Sequence, residues 1–271
     1  MSNSTTLLTG ATGGIGRAIA AELNAAGESL LLIGRCESRL KNLQRDLRQA
    51  NAQSGGNVNY CVADINRAED RQCILRKVQQ HQQPVTRLIN NAGVNAFAMF
   101  EDQSADSVQD ILNTNAVAPI QLIRILLPYF LAQQTADIVN IGSTFGSIGY
   151  PGFSSYSASK FALRGFTEAL SREYENSGLQ IRYFAPRATK TDLNCSHVEQ
   201  MNEQLNVNMD CPKQVARELA AFINSEKRSA AVGWPEKGFA RLNQLFPSLV
   251  GHFIQKDFSV IHKHAKASIT A

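Results

Sequence analysis

The sequence predicts an α/β fold, a doubly wound parallel sheet of about seven strands with helices on both faces. Three observations predict it. Short apolar runs alternate with segments of helical spacing across roughly 185 residues, which calls for a parallel sheet covered on both sides. A glycine-rich turn, "TGATGGIG" (Thr9–Gly16), stands at the first strand–helix junction. The other motifs fall at the carboxyl ends of predicted strands, where ligands of such sheets bind.

The elements follow in order. "TTLLTG" gives a strand at Thr5–Thr9, and Ile15, Ile19 and Leu23 give a helix that stops at Gly27. "SLLLIG" is a second strand, Glu37–Ala52 a charged helix, "NVNYCVAD" a third strand and Arg67–Gln82 a helix. "VTRLINNAG" is the fourth strand. Ser104–Leu131 reads as one long helix, bent or bounded by Pro119 and Pro128. "ADIVNIGS" is the fifth strand, Ser155–Ser177 a helix and "LQIRYFAP" the sixth strand. The polar stretch from Thr191 to Pro212 is weakly periodic. It reads as a long loop, with residues 192–211 a substrate lid or a disordered insertion. Lys213–Asn224 returns to helix, and "SAAVGWP" supplies a last short strand. Residues 236–271 form an amphipathic extension, with Phe239, Leu242, Leu245, Phe246, Leu249, Val250 and Phe253 at helical spacing and Lys256, Lys263 and Lys266 at a basic end. Such a helix packs over the pocket or a partner subunit, or makes peripheral contact with a membrane.

A chain of 271 residues with 44% hydrophobic and 18% charged residues is globular, and 1–271 is expected to be a single dinucleotide-binding domain. A net charge of +4 without a Lys/Arg block argues against nucleic acid. Five scattered cysteines, no C-x-x-C and no His/Cys cluster suggest neither disulfides nor a metal site, and point to a cytoplasmic protein. The N-terminus lacks signal-peptide features, and no 18-residue apolar run is present to span a membrane.

In "TGATGGIG", glycines 10, 14 and 16 allow a sharp turn and close approach to a pyrophosphate, with free N–H groups at the helix start. Thr12 and Ile15 lie in the same turn. The second strand ends in Gly34-Arg35, where NAD sites usually carry an acidic residue. A glycine leaves room for a 2′-phosphate and arginine can grip it, so the cofactor expected is NADP(H); the alternative is a plain surface charge. Tyr156 and Lys160, four residues apart, share a helix face. The lysine charge beside the phenol is expected to lower its pKa, making Tyr156 a proton carrier near neutral pH. Ser143, at the end of the preceding strand, is placed to polarise a substrate carbonyl.

These residues resemble the short-chain dehydrogenases/reductases from about Thr5 to Thr191. "TGATGGIG", "NNAG" (Asn90–Gly93), Asn115 in "NTNAVAP", Ser143 in "NIGS" and "YSASK" (Tyr156–Lys160) carry the resemblance. It implies a Rossmann-type fold and a catalytic tetrad of Asn115, Ser143, Tyr156 and Lys160. It further implies adenine contacts from Asp64 and Ile65, dinucleotide contacts from Asn91, Ala92 and Gly93, and a Lys160 bond to the nicotinamide ribose. Asn115 would steady a water that links Lys160 to solvent. Pro186, Thr189 and Thr191 would contact the nicotinamide amide. One departure is "PRATKT", where Arg187 replaces the family's glycine. That cation would reshape the pocket or attract an anionic substrate. Family members often form homodimers or homotetramers through the helices flanking the fifth strand, and Ile120–Phe130 is apolar enough for such a face. The function expected is NADPH-dependent reduction of a carbonyl, or oxidation of a secondary alcohol, on a small and lipophilic or acyl-chain substrate. The rivals are a non-catalytic NADP(H)-binding regulator and lipid chemistry at a membrane surface.

Overall fold

The computed structural model describes residues 4–52, 56–233 and 236–269. Its strands are β1 Thr5–Leu8, β2 Ser29–Gly34, β3 Val58–Val62, β4 Val85–Asn90, β5 Ala136–Ile141, β6 Leu179–Ala185 and β7 Ser229–Ala231. They form one sheet in the order β3-β2-β1-β4-β5-β6-β7, every pair parallel. The predicted doubly wound sheet is therefore the one that forms. Strand order reverses between β1 and β4, which opens a crevice at the carboxyl ends. Trp234 and Pro235, assigned to the last strand, lie outside the described residues.

Alternation along each strand sends neighbouring side chains to opposite faces. Leu8, Leu30, Leu32, Ile89 and Val139 pack under α1 (Gly14–Ala25), α2 (Glu37–Ala50) and α8 (Pro212–Ile223). Leu7, Leu31, Ile33, Leu88 and Ile138 pack under α3 (Ala68–Gln79), α5 (Ala118–Leu131) and α6 (Ser154–Glu173). In α5, Leu122, Ile123, Leu126 and Phe130 are fully buried. The apolarity of Ile120–Phe130 is thus largely core packing. The continuous helical stretch Ala105–Leu131 has the length and composition to cross a membrane, yet half of its most apolar window is buried in the fold.

That stretch is α4 (Ala105–Leu112), a π-helical turn at Asn113–Val117, and α5. The irregularity lies before Pro119 and not at either proline. Pro119 has no N–H to donate to the carbonyl of Asn115, and the Ala118 N–H reaches back five residues to Asn113. The wider turn carries Asn115.

Residues 192–211 are not simply a loop. They contain α7 (Ser196–Gln204), which buries Val198 and Met201. The extension is two helices, α9 (Glu236–Leu245) and α10 (Pro247–Ala267), parted where Pro247 starts a new first turn. Ile261 and Ala265 of α10 are fully buried against Phe97, Phe153, Val198 and Met201. Ser268 Oγ donates to the Phe97 carbonyl at 2.7 Å, and Lys266 pairs with Asp102 at 2.6 Å and Glu101 at 3.1 Å. The inner face of the extension therefore packs on the protein, while Leu245, Phe246, Leu249 and Phe253 stay exposed at the elbow.

Towards the amino ends of the strands lies an ion network. Asp137 pairs with the buried Arg182 and, at 3.1 Å, with Arg87, which also reaches Glu28 at 2.7 Å. Arg182 additionally donates to the carbonyls of Phe222, Ile223 and Ser225, satisfying the end of α8.

Candidate active site

A cleft of about 860 Å³ opens at the carboxyl ends of the strands. It is lined by Gly10, Thr12, Gly14, Ile15, Gly16, Arg35, Asp64, Ile65, Asn91, Ala92, Gly93, Ser143, Tyr156, Lys160, Pro186, Thr189 and Thr191. Of the residues the sequence singled out, Asn115 alone sits behind this wall.

The turn from β1 into α1 excludes a side chain at three positions. Gly10 has φ +62°, and a Cβ there would lie 2.7 Å from Ala92 Cα. At Gly16 a Cβ would collide with the Gly10 carbonyl, and at Gly14 with the Thr191 side chain. The resulting hollow faces the start of α1, whose first N–H groups are free of helical partners. Asn91 lines the cleft and also braces the turn. Its Nδ2 donates to the Thr9 and Gly10 carbonyls at 3.1 Å each, and the Thr9 hydroxyl accepts from the Asn91 and Ala92 N–H groups. Asn91 therefore holds the turn in shape. Next along the cleft, Arg35 is joined by Arg39 from the first turn of α2, which the sequence reading missed. Both are exposed, and neither makes an ion pair with a described residue. The spacing i, i+4 from the end of β2 was the available signal. Asp64 accepts from the Asn66 N–H at 3.0 Å. Asn66 and Asn95 also line the cleft, and each keeps a buried Oδ1 without a partner among the described residues. Orphaned polar atoms of this kind suit a polar ligand.

The chemistry-bearing groups converge beyond the end of β5. Lys160 is buried, its Nζ donates to the Ile141 carbonyl at 3.0 Å, and it lies 5.7 Å from the centroid of the Tyr156 ring. Burial draws the Lys160 ammonium down to about 8. Burial pushes the Tyr156 phenol up to about 12, opposed by a hydrogen bond from Ser143. The expected lowering by lysine is not found; desolvation prevails, so Tyr156 is a protonated acid at neutral pH. Ser143 Oγ accepts from the Phe145 N–H at 3.1 Å, and its own proton is the one turned to the Tyr156 oxygen.

Asn115 is fully buried. Its Nδ2 donates to the Val94 carbonyl at 2.9 Å and to Ser159 Oγ at 3.1 Å, and its Oδ1 accepts from the Val94 N–H at 2.8 Å. It thus ties the loop after β4 to α6, next to Lys160. A second ladder, from Asn90 to Asn140 to Thr167, fixes α6 on the sheet through bonds of 2.9 Å. Beneath them Tyr183 of β6, which the sequence reading also missed, donates to the Lys160 carbonyl at 3.5 Å and accepts from the Ser143 N–H at 3.4 Å. A Cβ at Gly142 or Gly146 would collide with its ring or hydroxyl. In the sequence Tyr183 reads only as a core aromatic.

Arg187 is explained by the lid. It forms a two-pronged pair with the buried Asp210, at 2.9 and 2.6 Å, while Lys190 and Asp210 exchange backbone bonds with Asp210 and Ala188. Its charge is compensated there by the Asp210 carboxylate. His197 does not line the cleft.

Residues 4–202 match a family profile described as short chain dehydrogenase. The chain belongs to the short-chain dehydrogenase/reductase family. Its members are oxidoreductases, and the sheet has their Rossmann-type form. The chain is 31% identical over 199 residues to the 3-oxoacyl-[acyl-carrier-protein] reductase FabG of Pseudomonas aeruginosa, covering 73% of this chain and 79% of that protein. A short-chain dehydrogenase from Sphingobium yanoikuyae, solved in complex with NADPH, superposes with TM-score 0.76 at 25% identity, covering 92% of this chain and 95% of that one. A short-chain dehydrogenase/reductase from Burkholderia phymatum, solved in complex with NAD, superposes with TM-score 0.80 at 23% identity over 91% and 94% of the two chains.

Proposed function

We propose that the protein is an NADPH-dependent oxidoreductase that reduces a lipophilic carbonyl compound, or oxidises the corresponding secondary alcohol, with Tyr156 as general acid/base. The observation that carries this reading is the meeting of Ser143, Tyr156 and Lys160 in one cleft with a glycine turn at a helix start. The glycine turn would hold the pyrophosphate, Asp64 and Ile65 the adenine side, and Pro186, Thr189 and Thr191 the nicotinamide end. Arg35 and Arg39, neither in an ion pair with a described residue, suit a 2′-phosphate beside Gly34. The bound nicotinamide would supply or accept the hydride.

The chain's own residues do the rest. Ser143 turns its hydroxyl proton from the Tyr156 oxygen to the carbonyl oxygen and polarises it. Tyr156, protonated at neutral pH, gives its proton to the oxygen as charge develops there. The Lys160 ammonium stabilises the phenolate left behind. Asn115 fixes the backbone over Lys160 and the start of α6, so the three groups keep their spacing. Phe145, Ile148, Phe153, Val198, Met201 and Phe253 line the far half of the cleft, which suits an apolar substrate and excludes water around the carbonyl.

The test is NADPH consumption against a panel of aliphatic and aromatic ketones. Tyr156→Phe is expected to lower kcat/KM by about 10²–10⁴-fold with nucleotide binding retained. An Arg35→Asp, Arg39→Asp double variant should lose NADPH affinity by about tenfold or more, given charge-assisted bonds. Equal NADPH and NADH affinity in the wild type would remove the cofactor assignment.

A further inference from the structure

We propose that Asp257 makes the substrate end of the cleft selective for carbonyl compounds whose distal group is neutral or cationic, and turns away carboxylates and other anions. The inference names a substrate class for the site and rests on the oxidoreductase reading of it.

Charge is divided along the cleft. Arg35 and Arg39 stand at the end beside Gly34. Lys160 lies under Tyr156, turned to the Ile141 carbonyl, and Arg187 is matched by Asp210. At the opposite end α10 brings Asp257 to the wall, next to Phe253 and Ile254. Its carboxylate is exposed at the mouth and has no hydrogen-bond or ion-pair partner among the described residues, and its charge reaches Tyr150, adding to the burial that keeps that phenol protonated. Asp192, also at the wall, adds charge of the same sign near Thr191.

An aromatic path joins this carboxylate to the reacting groups. Tyr150 stacks on Phe145 at 5.0 Å between ring centroids, and Phe145 and Phe153 meet the Tyr156 ring edge-on at 6.4 and 6.5 Å. A substrate with its carbonyl at Ser143 and Tyr156 lays its chain along these rings and ends near Asp257. A terminal hydroxyl there gains a charge-assisted hydrogen bond, and a quaternary ammonium gains the attraction of the carboxylate together with the ring faces. A terminal carboxylate meets an uncompensated charge of its own sign beside a wall of low polarisability.

The test uses three methyl ketones of equal chain length ending in hydroxyl, trimethylammonium or carboxylate. Dissociation constants are measured by calorimetry with NADP present at low salt, and kcat/KM is measured separately. The carboxylate should bind about tenfold more weakly than the hydroxyl compound, a size set by one partly screened charge pair. In Asp257→Asn the carboxylate should gain about tenfold relative to the hydroxyl compound, and the ammonium compound should lose its advantage. Equal binding of the three by wild type, an unchanged ranking in Asp257→Asn, or no binding of the hydroxyl and ammonium ketones overturns the proposal. If the ranking holds in binding while none of the ketones turns over, the proposal stands and the oxidoreductase reading falls.

Discussion

Burial acts with opposite sign on Tyr156 and Lys160, raising one to about 12 and lowering the other to about 8. The phenol stays protonated across the working range, while the ammonium is the group that titrates within it. Carbonyl reduction should therefore fall as pH rises through about 8, with no matching loss near pH 6; a pH profile of kcat/KM checks this. Stability moves the other way. The native state has released the Lys160 proton above about 8, whereas an unfolded lysine keeps it to about 10.5, so folding gains stability as pH rises across that window. Below pH 8 the buried charge costs roughly 3 kcal/mol. Lys160→Met should thus raise Tm at pH 7, by less at pH 10, and abolish turnover. Tyr183 belongs to the same scale. Tyr183→Phe keeps the packing against Gly142 and Gly146 but releases Ser143 and Lys160. It should lower kcat about three- to tenfold with KM nearly unchanged, the loss expected of one or two weak bonds. The i, i+4 spacing of Tyr156 and Lys160 was legible because both lie on one helix. Tyr183 was not, because its role depends on two glycines about 40 residues away in sequence. The sign of the Tyr156 shift was also illegible, since desolvation depends on what the rest of the chain places around the ring.

Among the elements, the strands and their flanking helices were readable because periods of two and 3.6 survive in buried runs. Two elements were not. The π-turn at Asn113–Val117 has no periodicity of its own and follows from Pro119 meeting the carbonyl of Asn115. The short α7 presents only Val198 and Met201 inward, too few to separate from a polar loop. What holds α7 is also hidden in sequence. Arg187, at the end of β6, grips Asp210 at the far end of the lid, 23 residues on, and packs under Gly233, where a Cβ would strike its side chain. Arg187→Met should leave Asp210 a buried unpaired carboxylate, at a cost of about 3–5 kcal/mol to the closed lid. Limited proteolysis should then cut within 191–212 first, and KM should rise more than kcat falls. Cleavage elsewhere with an intact lid would show that the pair is not what closes it.

At the scale of the whole molecule, chemistry and one part of the stability sit at opposite ends of the sheet. Asp137 joins Arg87 of β4 to Arg182 of β6 near the amino ends, and Arg182 also closes α8. Asp137→Ala leaves the buried Arg182 and the part-buried Arg87 without their shared anion and should lower unfolding stability by about 3–5 kcal/mol. Far below the melting transition kcat should be little altered, because the cleft is at the other end; a urea titration beside an activity assay separates the two.

The order in which the chain contributes to the cleft has a further consequence. The glycine turn, Arg35, Arg39 and Asp64 come from the first quarter of the sequence, and the lid, Phe253 and Asp257 from the last third. On the proposed reading, preference for one nucleotide over another and preference for one substrate over another are written in separate stretches of the gene. Recombination near the middle, between relatives sharing the β4–β6 centre, would exchange one trait and carry the other over intact, so a lineage of such enzymes can diversify its chemistry without renegotiating its supply of reducing power.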